Sequence, residues 1–314
     1  MSIKIFFATD IHGSNVCFRK FLNALPIYGA DVAILLGDLT GKVMVPVVEG
    51  PKGRWQTNLI GNNIVVESPE ELARVKQTVE NAGYYWVNQT MEEFVDTSAD
   101  KAKTDALFKR LVLQRLNEWV ELANERMAAE SHRHRSLYMA AGNDDWSEVD
   151  AILNDAGVIQ ACDMRVVPID GHEMVTCSWS NPTPWHTPRE LPEDELEAML
   201  DGLCAQVHDY EKAIFNFHVP PYGYSLDRCP KLDENLVMAA DETIHAGSLG
   251  ARRMIEKYKP LLGLHGHIHE SRSAQRAGRT LMVNPGSEYS EGILRGVVLV
   301  LDEGKVKDYA FTAG

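Results

Sequence analysis

Short apolar runs recur from Ile3 to Phe311 and alternate with stretches of helical periodicity, and several of them are ended by a glycine or a polar turn that carries aspartate or histidine. Ile3 to Ala8 is rich in β-branched and aromatic residues and reads as a buried strand. Polar Asp10 to Asn15 follows, then a helical pattern at Val16, Phe18, Phe21 and Leu22, then a second buried strand from Asp31 to Leu36, stopped by Gly37. A strand, loop, helix, strand order predicts helices packed on a sheet, with functional loops at the carboxyl ends of the strands. Further strands are expected at Ile64 to Val66, Leu137 to Ala140, Val166 to Ile169, Met174 to Ser178, Ala213 to Phe217, Leu261 to Leu264, Thr280 to Val283, Val297 to Leu301 and Val306 to Phe311. The fold class is therefore α/β or α+β, with a β-rich C-terminal end.

The pattern changes between Ser68 and Glu130. Ser68-Pro69-Glu70-Glu71 is a helix start, with Ser68 as N-cap, Pro69 in the first turn and Glu71 at the capping-box position. Helical spacing continues through Leu72, Val75 and Val79 and again from Ala106 to Met127, so a helical insertion is expected at about 68–130. Leu191 to Tyr210, opened by Pro192 and acidic residues, is a further expected helix. No internal repeat or low-complexity linker divides the chain, which is read as a single domain over 1–314.

Composition narrows the function classes. The 314 residues include 45 acidic and 31 basic side chains, a net charge of −14. That field repels polyanions, so nucleic acid is an unlikely partner, whereas a small phosphorylated substrate is compatible with a local metal charge. Five cysteines, widely spaced and without a Cys-x-x-Cys pair, disfavour a disulfide framework or structural zinc and point to a cytoplasmic location. No basic segment followed by an apolar one opens the sequence, so no secretory leader is expected, and no apolar run approaches the roughly 20 residues of a membrane span.

The turns that end the strands carry the chemistry: Asp10-Ile11-His12, Gly37-Asp38, Gly142-Asn143-Asp144-Asp145, His218 before Val219-Pro220-Pro221, and Gly266-His267-Ile268-His269. Each alone is an ordinary turn. Together, carboxylate, amide and imidazole donors without thiolate form a set suited to first-row divalent metals. In an α/β sheet such loops gather at one edge, which brings distant residues into one site.

The order Asp-x-His, Gly-Asp, Gly-Asn-x-Asp, His, Gly-His-x-His resembles the calcineurin-like metallophosphoesterase family, and Asn284-Pro285-Gly286-Ser287 is similar to a further element of it. The resemblance implies a four-layer sandwich of two facing mixed β-sheets flanked by helices. It implies two divalent ions, of manganese, iron, zinc or cobalt, with Asp10, His12 and His269 on the first, Asn143, His218 and His267 on the second, and Asp38 bridging. It further implies hydrolysis of a phosphate ester by in-line attack of metal-bound hydroxide. Alternatives within the same fold are a phosphomonoesterase and a non-catalytic scaffold.

One position departs from the family. Where many relatives carry histidine, this chain has Asp144, which lacks a cationic donor, so a small phosphodiester is favoured over a monoester. Asp144 and Asp145 are the candidate catalytic side chains beside the metals, Asp145 as a partner that orients its neighbours. His172, His186 and Arg272 are candidate replacements for the missing imidazole, and Trp179, Trp185 and His186 lie in a loop that could wall the pocket.

Overall fold

The computed structural model describes residues 2–233 and 238–314. The chain opens with β1 (Ile3–Thr9), α1 (Asn15–Tyr28) and β2 (Val32–Leu36). It then makes an excursion through β3 (Met44–Glu49), β4 (Trp55–Leu59), β5 (Asn62–Val66), α2 (Pro69–Asn81), β6 (Tyr85–Gln89), α3 (Met91–Ser98) and α4 (Lys101–Met127). It returns in β7 (Ser136–Ala140), α5 (Glu148–Asn154) and β8 (Ile159–Ala161). Next come β9 (Arg165–Ile169), β10 (His172–Cys177), α6 (Glu193–Cys204), β11 (Ala213–Phe217) and the hairpin β12 (Arg228–Leu232) with β13 (Met238–His245). The last elements are α7 (Leu249–Tyr258), β14 (Leu262–Leu264), β15 (Ser273–Ala277), β16 (Thr280–Asn284), β17 (Arg295–Asp302) and β18 (Lys305–Ala313).

Two six-stranded mixed sheets carry the fold, ordered β18-β17-β1-β2-β7-β8 and β15-β16-β14-β11-β10-β9. β1, β2, β7 and β8 are parallel in the first, and β10, β11, β14 and β16 in the second. Alternation along each strand explains the unbroken apolar runs. Ile3, Ile5 and Phe7 of β1, with Val32, Ile34 and Leu36 of β2, face the second sheet and meet Ile214, Leu262 and Val283. Phe6, Ala8, Ala33 and Leu35 face the other way, onto Phe21 and Leu25 of α1, Leu116 and Trp119 of α4, and Leu153 of α5. A strand covered on both faces has no polar alternation to display. The outer face of the second sheet, with Phe215 and Phe217, is covered by Leu196 and Leu200 of α6 and Met254 and Ile255 of α7. The result is the expected four-layer sandwich, in which each fully buried aliphatic or aromatic side chain contributes roughly 1.5–3 kcal/mol.

Residues 68–130 correct the sequence reading. Three helices are there, but Tyr85–Gln89 is a strand, and it belongs to a third sheet, β5-β4-β3-β6, that begins at Met44. Tyr85-Trp86-Val87 has the aromatic and β-branched content of a strand, which a helical spacing count passes over. Ser68 caps α2 by accepting from Glu71 N at 3.2 Å, whereas the Glu71 carboxylate accepts from Glu67 N, one residue before the capping-box position. The complete capping box is at Thr90 and Glu93 of α3. The expected helix at 191–210 is shorter, Glu193–Cys204; beyond it the chain turns, and the Glu173 carboxylate accepts from His208 N and Asp209 N. Among the described residues, no helix is long and apolar enough to cross a membrane.

Candidate metal centre

The carboxyl ends of β1, β2 and β7 in one sheet and of β11 and β14 in the other meet along a common edge. The loops leaving them hold Asp10 and His12, Asp38, Asn143, His218, and His267 with His269. Their donor atoms form two groups that could each hold a metal ion, Asp10, His12, Asp38 and His269 on one side, and Asp38, His218 and His267 on the other. Asp38 belongs to both. Its Oδ2 is 3.6 Å from His12 Nε2 and its Oδ1 is 3.4 Å from His218 Nε2, so its two oxygens point to opposite halves. His269 Nε2 lies 3.5 Å from Asp10 Oδ1, and Asn143 Oδ1 lies 2.9 Å from His218 Nε2.

The backbone is bent to make this convergence. Asp10, His12, Asp38 and His267 all have positive φ, from 38° to 66°, a region that side chains with a Cβ rarely adopt. Such strain collects where geometry serves a site. Gly37 stands at φ 71°, and a Cβ there would overlap the His218 ring; a Cβ on Gly142 would overlap Asp38. These motif glycines mark the points where one ligand loop crosses another. Outer partners fix the donors: Thr9 Oγ1 donates to Asp10 Oδ2 at 2.6 Å, His267 N to the same oxygen at 3.0 Å, and His12 Nδ1 lies 3.3 Å from Thr40 O. The Asn284 amide donates to Gly266 O and Ile268 O, which pins the loop holding His267 and His269. Asn143 Nδ2 donates to Thr187 Oγ1 at 2.8 Å, and this turns its amide oxygen toward His218.

The donor set fits cations. Asp10 and Asp38 are buried, and among the described residues neither makes ion-pair contact with a lysine or arginine; both face imidazoles instead. His12 Nε2 and His269 Nε2 stand 3.0 Å apart, so two ring nitrogens point at each other. Burial works to raise the Asp38 pKa, but His218, His12 and His267 outweigh it and hold the carboxyl well below the usual range. Burial pushes His12 down to about 3 and His267, with help from His218, down to about 4, so both imidazoles are neutral and ready to ligate. Burial opposes charge on His218 too, yet Asp38 and Asp10 raise it to about 9.

A cation bound at this histidine must displace its proton, since only neutral imidazole ligates. Because the metal-free pKa is raised, a cation held here would compete with the proton below about 9, and less so as pH rises toward it. Manganese affinity is therefore expected to climb by up to about tenfold per pH unit from pH 6.5 to 8. Calorimetry in buffers of different ionisation enthalpy is expected to find at least one proton released at pH 7.5; pH-independent binding without proton release overturns this account.

Asp144 and Asp145 part company. Asp144 N donates to Asp38 Oδ1 at 3.0 Å, and its side chain pairs with Lys42. Burial and Asp38 raise its pKa to about 7, against Lys42, which lowers it. Asp145 is fully buried, and its oxygens accept from Leu39 N, Thr40 N, Thr40 Oγ1 and Gly142 N, which ties the loops after β2 and β7 together and leaves it facing backbone. His172 sits at the amino end of β10, away from the ligand loops, with Nδ1 2.9 Å from Lys212 O, and Arg272 lies over the Phe311 ring. Neither replaces the absent imidazole.

Several residues at the site carried no sequence signal. Tyr289 lays its ring 4.6 Å from His12 and 5.9 Å from His269. Tyr85 of β6 accepts from Gly41 N at 2.9 Å, and Arg115 of α4 donates to Gly13 O at 2.9 Å, so the excursion supports the loops after β1 and β2.

No family model matches the chain. An uncharacterized protein of Methanocaldococcus jannaschii is 31% identical over 159 residues, which cover 50% of this chain and 66% of that protein. The match thus spans slightly under two thirds of the relative. Among solved structures, one aligns over 100% of this chain and 99% of its own with a TM-score of 0.60 at 14% identity. A Thermus thermophilus protein aligns over 100% and 99% with a TM-score of 0.50 at 15% identity. These likenesses show a shared fold.

Proposed function

We propose that this chain is a binuclear metal-dependent phosphoesterase acting on a small phosphate ester, a phosphodiester in preference to a monoester. The observation that carries the reading is the pair of ligand groups sharing Asp38 at the joined edge of two sheets. In this reading Asp10, His12 and His269 hold one divalent ion, Asn143, His218 and His267 the other, and Asp38 reaches both. Two such ions, when bound, supply Lewis-acid activation of water and neutralise charge on the phosphoryl oxygens.

The protein's own groups do the positioning. Thr9 and His267 N orient Asp10, Thr187 orients Asn143, and Thr40 O sets the ring of His12, so the donors are placed before any ligand arrives. Tyr289 packs its ring against His12 and His269 on one side of the cradle. Asp144 occupies the position from which a histidine would act in the resembling family. Cations nearby would pull its pKa down from about 7, which suits it to anchoring a positive group and not to donating a proton. A substrate with a good leaving group or a diester is the natural match.

Metal-stripped protein reconstituted with manganese is expected to cleave bis(p-nitrophenyl) phosphate at least about tenfold faster than p-nitrophenyl phosphate, with both activities lost in chelator. Equal or reversed rates overturn the diester preference; manganese binding without turnover of either overturns the enzymatic reading in favour of a scaffold.

A further inference from the structure

Lys42, in the loop between β2 and β3, is the positive group that the cradle feels. Its ammonium pairs with Asp144, whose own backbone N–H is bonded to the shared carboxylate Asp38. Burial works against its charge, but Asp144, Asp38 and Tyr289 outweigh that and hold its pKa above the usual lysine value, so it is a cation throughout the neutral range. The ion pair with Asp144 sets the ammonium one residue away from the shared carboxylate Asp38, and its charge is felt at His12 and Tyr289 as well. The Lys42 side chain is 54% exposed while that of Asp144 is 12% exposed, so the lysine can still meet a solute while the aspartate behind it cannot be reached as easily.

We propose that Lys42, held in place by Asp144, contacts the phosphoryl oxygens of the substrate and supplies the positive charge that the histidine motif of the resembling family would otherwise place there. The inference rests on the phosphoesterase reading. An ammonium is a compact point charge with three donors on a flexible stem, suited to an oxygen whose negative charge grows during reaction. The bland alternative is that Lys42 only neutralises Asp144. A half-exposed ion pair adds little to stability, so a purely structural role predicts little change in phosphate binding or turnover.

Orthophosphate binding to the manganese-loaded protein, measured by calorimetry, separates the two, with manganese stoichiometry and bis(p-nitrophenyl) phosphate turnover measured beside it. Lys42→Met is expected to weaken orthophosphate about tenfold and to lower kcat/KM about 10²-fold with manganese stoichiometry unchanged, and Lys42→Arg to recover most of both. Asp144→Asn, which removes a neighbouring anion while keeping the lysine, is expected to tighten orthophosphate. The double variant Lys42→Met, Asp144→Asn decides the role: if the lysine serves only to neutralise Asp144, the double variant regains wild-type orthophosphate affinity, and the assignment falls. Lys42→Met that binds orthophosphate like wild type overturns the assignment alone. Wild-type protein that takes up manganese yet neither binds orthophosphate nor cleaves the diester overturns the phosphoesterase reading as well.

Discussion

Asp38→Asn is expected to lower metal-dependent kcat/KM on bis(p-nitrophenyl) phosphate by at least about 10³-fold, equivalent to about 4 kcal/mol of transition-state stabilisation. Asparagine keeps the size of the side chain and an oxygen for the Asp144 N–H, so the loop is not obliged to move. What it removes is the negative charge that reaches both halves of the cradle, 3.6 Å from His12 and 3.4 Å from His218. Two cations roughly 3.5–4 Å apart repel strongly without an anion between them. Bound manganese is expected to fall from two equivalents to one or fewer, and far-ultraviolet circular dichroism to remain that of the wild type. Full activity and two bound ions in Asp38→Asn would remove Asp38 from the centre and the binuclear reading with it. An alanine at the same position is a coarser probe, since it also takes away the Asp144 contact.

How much of this is legible in the sequence depends on where each residue sits. Asp10, Asp38, His218 and His267 each follow an apolar run, with glycine beside Asp38 and His267, and such runs are hard to mistake when both faces of a strand are buried. The parallel pairing of β1 with β2, of β2 with β7, and of β11 with β14 then brings the five separate turns to one edge. The supporting residues are another matter. Lys42, Thr187 and Tyr289 lie in connections with no periodicity, and their positions follow from how loops fold back, which no spacing rule contains. His172 shows the limit from the other side: as a histidine beside a strand it is a fair candidate, but it begins β10, whereas the proposed ligands follow the ends of their strands, and one sheet length separates the two edges. The third sheet is hard to read because β4 and β5 carry Gln56, Asn58, Asn62 and Asn63, which dilute the strand pattern. Its core is small, built on Val47, Val66 and Leu72.

Asp145 tests whether a carboxylate next to a metal cradle is chemistry or architecture. Both of its oxygens are committed: Oδ2 accepts from Leu39 N at 2.9 Å and Gly142 N at 2.8 Å, and Oδ1 accepts from Thr40 N at 2.9 Å and Thr40 Oγ1 at 2.6 Å. Burial and the nearby Asp38 charge raise its pKa, with the Thr40, Gly142 and Leu39 donors opposing them. Replacing it with asparagine preserves one oxygen and its two bonds but sets an NH₂ group against two donors on the other side. Buried donors left without acceptors cost about 1–3 kcal/mol each, so Asp145→Asn is expected to lose about 2–5 kcal/mol in urea unfolding despite its near-identical shape. The loops it ties are those that present Asp38 and Asn143, so manganese affinity is expected to fall with stability. Turnover per metal-loaded molecule, measured at saturating manganese and low temperature where the variant is folded, is expected to stay within about threefold of wild type, because none of the Asp145 oxygens faces the substrate side. Loss of turnover with unchanged stability and unchanged manganese binding would reverse the assignment and make Asp145 a participant in the reaction. The contrast with Asp38→Asn is then a clean one, since the same chemical change at two buried aspartates is predicted to remove activity at one and fold stability at the other.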